Sequence, residues 1–260
     1  RIIVSDAASS DFFCRVSVSG ITALVGAFGD DDNGSNSGSA YIYQYDTNTD
    51  SWAETKLTAS DGVADDRFGI SVAVSGNTAL VGAYWDEGVG VSQSGSAYLY
   101  QIPVLTTPEV KLTASDGAAG DWFGYSVSMS GNTALVGAWG DDDSGSNAGS
   151  AYLYQHDPNT QTWVETKLTA SDGAAGDQFG NSVSVSGNTA LVGANLDADS
   201  GSNSGSAYLY QYDPNTDSWA ETRLSVSDAA SRDFFGRVSV SGNTALVGAF
   251  RDDDNGSNSG

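Results

Sequence analysis

Between Phe123 and Ser130 the larger side chains Tyr125, Val127 and Met129 alternate with Ser126, Ser128 and Ser130. A period of two is the pattern of a β-strand with unlike faces. Ser130-Gly131-Asn132 then reads as a tight turn, because Gly and Asn tolerate positive φ. Thr133 to Ala138 (TALVGA) is apolar and too short for a helix, so it predicts a second strand. Gly140 to Gly149 is polar and glycine-rich and predicts a loop. Ser150 to Gln155 alternates again, with Tyr152 and Tyr154 on one face. Asp157-Pro158-Asn159 turns the chain. Trp163 to Ser171 predicts a fourth strand, its polar alternation (Glu165, Lys167, Thr169) suited to an outer edge.

The same text recurs. Copies start at Arg1, Lys56, Lys111, Lys167 and Arg223, a period of 55 or 56 residues. Four strands joined by turns form an antiparallel meander, and a repeat of this length suits a propeller blade. Both faces of each meander are apolar or small, so neighbouring repeats must cover them. The expected fold is therefore all-β: a β-propeller of four-stranded antiparallel blades, with four full repeats (1–55, 56–110, 111–166, 167–222) and a partial fifth (223–260) in one domain, 1–260. Residues 1–38 and 223–260 differ at six of 38 positions, which suggests duplication of four-repeat blocks. The second copy is the outlier. Its loop YWDEGVGVSQSG lacks the triple aspartate, and Ile102–Val110 lacks the Trp present at Trp52, Trp163 and Trp219.

A net charge of −23 argues against nucleic acid and against anionic membrane surfaces, both of which call for basic patches. Acidic excess favours cations, basic partners or simple solubility. No run of 18 apolar residues is present, so no transmembrane helix and no membrane insertion are expected. Cys14 is the single cysteine and stands where other copies have Gly69, Gly124, Gly180 and Gly236, a tolerated substitution. The chain starts at Arg1 without Met or signal peptide, as expected of a piece of a longer protein.

Phe123-Gly124 followed by Leu135-Val136-Gly137-Ala138 recurs in every copy, with Cys14 replacing Gly in the first. This resembles the FG-GAP repeat of integrin-α-like β-propellers, in the bacterial-type variant with a short first hairpin. The resemblance implies a propeller, and in integrin-type blades a calcium loop between strands one and two. Here that position holds only Ser-Gly-Asn (Ser130–Asn132, Ser186–Asn188, Ser241–Asn243), so that calcium site does not carry over. Trp139, Asn195 and Phe250 also stand where the family has Pro.

Candidate chemistry lies elsewhere. Loops after strands two and four of a meander emerge at the same end, which should crowd Asp116 and Asp121 against Asp141, Asp142 and Asp143, and Asp172 and Asp177 against Asp197 and Asp199. Calcium takes about 6–8 oxygen ligands, and such loops supply them. The expected metal ligands are Asp30, Asp31, Asp32, Asp141, Asp142, Asp143, Asp197, Asp199, Asp252, Asp253 and Asp254, with the second copy lacking a site. Against this, Asp in loops also bonds its own backbone, and Asp121 could simply brace the turn before Phe123. The recurring Trp residues could form carbohydrate platforms, although recurrence favours packing between blades.

Catalysis finds little support. The one histidine, His156, falls in a turn, and no Ser-His-Asp or Cys-His set can be assembled. Repeated carboxylate pairs have equal environments, whereas an acid–base pair needs unequal ones. The expectation is an extracellular or cell-surface, non-enzymatic FG-GAP-type propeller for adhesion or ligand binding, calcium-assisted, whose partner is a protein, a glycan or copies of itself. The rival is a structural unit of a filament, sheath or matrix.

Overall fold

A computed structural model describes residues 4–88, 90–102 and 109–252. Among them every regular element is a strand. The first blade comprises β1 (Phe13–Ser19), β2 (Thr22–Ala27), β3 (Ser39–Asp46) and β4 (Ser51–Leu57). The second comprises β5 (Ser71–Ser75), β6 (Thr78–Ala83), β7 (Ser96–Gln101) and β8 (Val110–Leu112). The third is β9 (Ser126–Ser130), β10 (Thr133–Ala138), β11 (Ser150–Asp157) and β12 (Thr162–Leu168). The fourth is β13 (Phe179–Ser186), β14 (Thr189–Ala194), β15 (Ser206–Asp213) and β16 (Ser218–Leu224). Strands β17 (Phe235–Ser241) and β18 (Thr244–Ala249) begin a fifth. Strands follow chain order within each sheet, so the all-β, four-stranded antiparallel propeller blade expected from the pattern is what forms. The copies of text cut at Lys56 divide the fourth strand, and the structural blade runs Phe13–Leu57 instead.

The chain divides into two compact units, Arg1–Val127 and Ser128–Gly260. In the first, Leu24 and Ile42 of one blade share a core with Phe68, Val74, Val81 and Tyr98 of the next. In the second, Leu135 and Leu153 meet Phe179, Val183, Val192 and Tyr208. Neighbouring blades thus cover each other's apolar faces, and each fully buried large side chain contributes about 1.5–3 kcal/mol.

Hydrogen bonds tie the same junctions together. Ser17 Oγ accepts from Val74 N at 3.0 Å and Ser19 Oγ from Gly76 N at 3.1 Å. Ser128 and Ser130 serve Val185 N and Gly187 N, each at 3.0 Å. Ser182, Ser184 and Ser186 serve Val238, Val240 and Gly242. The alternating serines of the first strand are therefore the polar seam between blades.

Two glycine positions set the spacing. Gly131 turns the β9–β10 hairpin at φ +55°, the first position of a two-residue loop. Gly69 has φ +92°, and a Cβ there would lie 2.3 Å from the Ser39 carbonyl oxygen of the preceding blade. Cys14, at the equivalent place in the first blade, is exposed. His156, expected in a turn, instead lies in β11, one residue before its end, and packs on Trp163 with centroids 5.2 Å apart. Among the described residues no helix is long and apolar enough to cross a membrane.

Candidate functional site

The acidic loops fold around a cation that the chain supplies. In the first blade, register places Lys56 of β4 opposite Tyr41 of β3. Lys56 Nζ donates to Asp6 at 2.8 Å, Asp30 at 2.9 Å and Asp32 at 2.5 Å. The Tyr41 hydroxyl lies 2.8 Å from Asp6 Oδ1 and 3.1 Å from Asp30 Oδ2. Asp30 also accepts the backbone N–H of Asp32, an Asx-type turn that aims its carboxylate inward. Asp30 is buried, and Asp6 and Asp32 are more open.

Each complete blade repeats the arrangement. Lys111 binds Asp61 at 2.6 Å and Asp86 at 3.0 Å, beneath the Tyr98 hydroxyl. Lys167 binds Asp141 at 2.9 Å and Asp143 at 2.7 Å, and Tyr152 donates to Asp141. Arg223 binds Asp172 at 2.9 Å, Asp197 at 3.2 Å and Asp199 at 2.6 Å. Asp61 and Asp172 follow the fourth strand of one blade and reach the cation of the next, so these clasps join blades.

Charge and burial oppose each other here. Burial penalises the charge of Asp30, but the Lys56 ammonium and the Asp32 N–H outweigh it and hold the carboxyl below its usual range. Asp6 is lowered chiefly by its hydrogen bond from Lys56. Asp61 is lowered despite burial, through Lys111 and Tyr98. Burial likewise works against the Lys56, Lys111 and Arg223 cations, and their aspartates reverse it, raising all three. A second set of aspartates does turn-bracing work. The side chains of Asp11, Asp66, Asp121, Asp177 and Asp233 each accept the backbone N–H three residues earlier, at 2.6–2.7 Å. Burial pushes the pKa of Asp66 up to about 6, against the pull of the Val63 N–H and the Lys111 charge.

The expected metal ligands fall into three groups. Asp30, Asp32, Asp141, Asp143, Asp197 and Asp199 converge as clasps. Asp31 and Asp142 are exposed, and Asp31 bonds the Asn36 N–H at 2.8 Å. Asp252 is half-buried, and Asp253 and Asp254 lie outside the described residues. Oxygens of Asp6, Asp30 and Asp32 lie within 4.8 Å of one another, close enough to share one ion. Lys56 Nζ holds that centre, so calcium would enter only by displacing it. In the second copy, expected to lack a metal site, Lys111 joins two aspartates, Asp61 and Asp86. Asp86 carries no triple-aspartate signal in the sequence; in the four complete blades it is the first aspartate of each loop that is buried. Sequence reading also missed the four strand-four cations, which look like ordinary outer-face alternation.

The model of the FG-GAP repeat family matches residues 1–43, 52–100, 106–154, 163–210 and 219–260. The chain belongs to the FG-GAP repeat family. Within this FG-GAP chain the Phe-Gly pair lies at the irregular start of the first strand, where the register shifts between Phe179 and Ser182. A designed protein, Ika4, is 14% identical over 81% of this chain and 98% of its own, with a TM-score of 0.41. The periplasmic gluconolactonase PpgL of Pseudomonas aeruginosa is 15% identical over 96% of this chain and 81% of its own, with a TM-score of 0.40. Likenesses this weak add nothing to the family assignment. No curated protein matches the chain.

Proposed function

We propose that this FG-GAP chain is a non-enzymatic binding scaffold that acts outside the cell or at its surface, in adhesion or ligand capture. The observation that carries the reading is recurrence at the exposed outer hairpins. Tyr45 with Trp52, His156 with Trp163, and Tyr212 with Trp219 form the same aromatic pair at centroid distances of 5.2–5.3 Å. Related aromatic pairs recurring on several blades suit multivalent capture, in which the second contact becomes intramolecular. They do not suit acid–base catalysis, which needs two different environments. In this reading the aromatic pairs carry the capture, and a calcium ion would reach the clasp aspartates only by displacing Lys56 and its counterparts.

The test is retention of the purified chain on immobilised polysaccharides and immobilised proteins, each at two ligand densities. Multivalent display predicts retention that rises more steeply than density. Absence of retention on every surface overturns the reading. A structural unit of a filament, sheath or matrix is the second reading. The junction chemistry favours it, because the same serine seam recurs where the first, third and fourth blades meet the strands that follow them. Sedimentation of the chain as extended assemblies, without ligand retention, would select it.

A further inference from the structure

The junction between the third and fourth blades holds a groove of about 310 Å³. That lies at the lower end of small-molecule pockets, which span about 300–1,000 Å³. Its floor is Trp219, half-buried, which packs on the apolar core on one side and pairs with Tyr212 at 5.3 Å on the other. A ring anchored in this way loses little entropy when it is covered. Gln155 and Thr166 come from the third blade, and Asp217 and Ser218 from the tip of the fourth. Together they offer one carboxamide, two hydroxyls and one carboxylate around an apolar plate; Asp217 accepts from the Tyr212 hydroxyl through one oxygen at 2.7 Å, and Ser218 pairs with Thr216 at 2.8 Å. The lining lysine, Lys167, has its ammonium committed to Asp141 and Asp143. The groove therefore presents no free cation, and Asp217 repels anions.

We propose that this groove binds a neutral saccharide. A pyranose has one face of C–H groups that can lie on the indole, and a rim of hydroxyls that can reach planar carboxamide and carboxylate partners. Phosphorylated, sulfated or uronic-acid sugars are excluded by the charge. The inference rests on the binding-scaffold reading and names the ligand class and place within it.

The test is ¹⁹F NMR of 5-fluorotryptophan-labelled chain, with the Trp219 resonance assigned through Trp219→Phe. The probes are neutral oligosaccharides of glucose, galactose, mannose and N-acetylglucosamine. The expected result is a saturable shift of the Trp219 signal with one of them, weakened at least tenfold by Gln155→Ala and by Asp217→Asn. These are partly or fully exposed positions, so the variants should keep the fold, and the remaining tryptophan signals report that directly. The Trp52 signal should stay unmoved. Three outcomes overturn the inference: no shift with any sugar, a shift that Gln155→Ala and Asp217→Asn leave intact, or a shift only with charged sugars. Retention on polysaccharide that survives Trp219→Phe, Gln155→Ala and Asp217→Asn alike would sink this groove while leaving the scaffold reading standing. Loss of retention on all surfaces would sink the scaffold reading itself.

Discussion

Replacing Lys56 by Met removes the positive charge at the centre of the first clasp and keeps most of the side-chain volume. Three carboxylates are then left facing one another. Stripping one partner from a fully buried ion pair costs about 3–5 kcal/mol. This cluster is only partly buried: Lys56 is 21% exposed, Asp30 6%, Asp6 44% and Asp32 60%. Solvent screening of the two open carboxylates cuts the figure to about 2 kcal/mol. For a chain of this size that lowers Tm by about 4–8 °C. The assay is thermal melting, backed by urea denaturation, of wild type and Lys56→Met, each in chelator and in calcium. Wild type should melt alike in both, since Lys56 holds the position a metal would need. The variant should regain stability in calcium, because the oxygens of Asp6, Asp30 and Asp32 stay within 4.8 Å. Saturation at about 100 Kd would restore roughly 2.7 kcal/mol. Two results refute the reasoning: chelator lowering the wild-type Tm by several degrees, or Lys56→Met melting where wild type does.

Asp66, raised to about 6, is a buried carboxyl that prefers its proton in the fold, so its contribution grows as pH falls from 7 towards 4. Asp66→Asn should therefore stabilise at pH 8, by roughly 1–2 kcal/mol after screening, and have no effect at pH 4 in urea denaturation. Asp6, Asp30 and Asp61 have the opposite sign: lowered in the fold, they stabilise above the ordinary carboxyl range and lose that contribution on acidification. Asp66→Asn should for that reason flatten the pH dependence of stability between pH 5 and 7 and leave the acid limb unchanged. Ser184→Ala removes the acceptor of the Val240 N–H and should cost about 1 kcal/mol, read as a shift in urea midpoint at constant m-value. Gly69→Ala should cost more than about 3 kcal/mol, because its Cβ would lie 2.3 Å from a carbonyl oxygen at φ +92°. Gly76→Ala, at φ +54° with nothing within 4 Å, should cost only about 1 kcal/mol, and equal effects at the two sites would contradict the close-approach account.

The strands were legible because period two and the Ser-Gly-Asn turn are local signals. Thr133–Ala138 was read to the residue, and the fourth strand came out as Thr162–Leu168 against an expected Trp163–Ser171. The convergence of Asp172 with Asp197 and Asp199 was legible too, since it follows from meander topology alone. The cation at the centre was not. Lys56 lies 50 residues from Asp6, and only the strand register that sets it opposite Tyr41 shows which way it points. A lysine alternating with polar residues on an outer strand gives the same text whether it faces water or a neighbour's carboxylates.

Blade-to-blade differences separate the two kinds of site. The clasp keeps its chemistry in all four complete blades even where the loop text changes: Asp86 works within YWDEG, and Arg223 replaces lysine. That is expected of a contact in which each blade's fourth-strand cation must neutralise the same buried carboxylate of its own blade. The outer hairpins vary instead. Tyr45 and Tyr212 become His156, and the second copy has no Trp between β7 and β8. Packing against neighbours does not demand that variation, because Trp52 is 46% exposed and still pairs with Tyr45. A ligand contact is where such differences have consequences. Clasp and serine seam fix the blades, and the hairpin tips are left free to differ in what they hold.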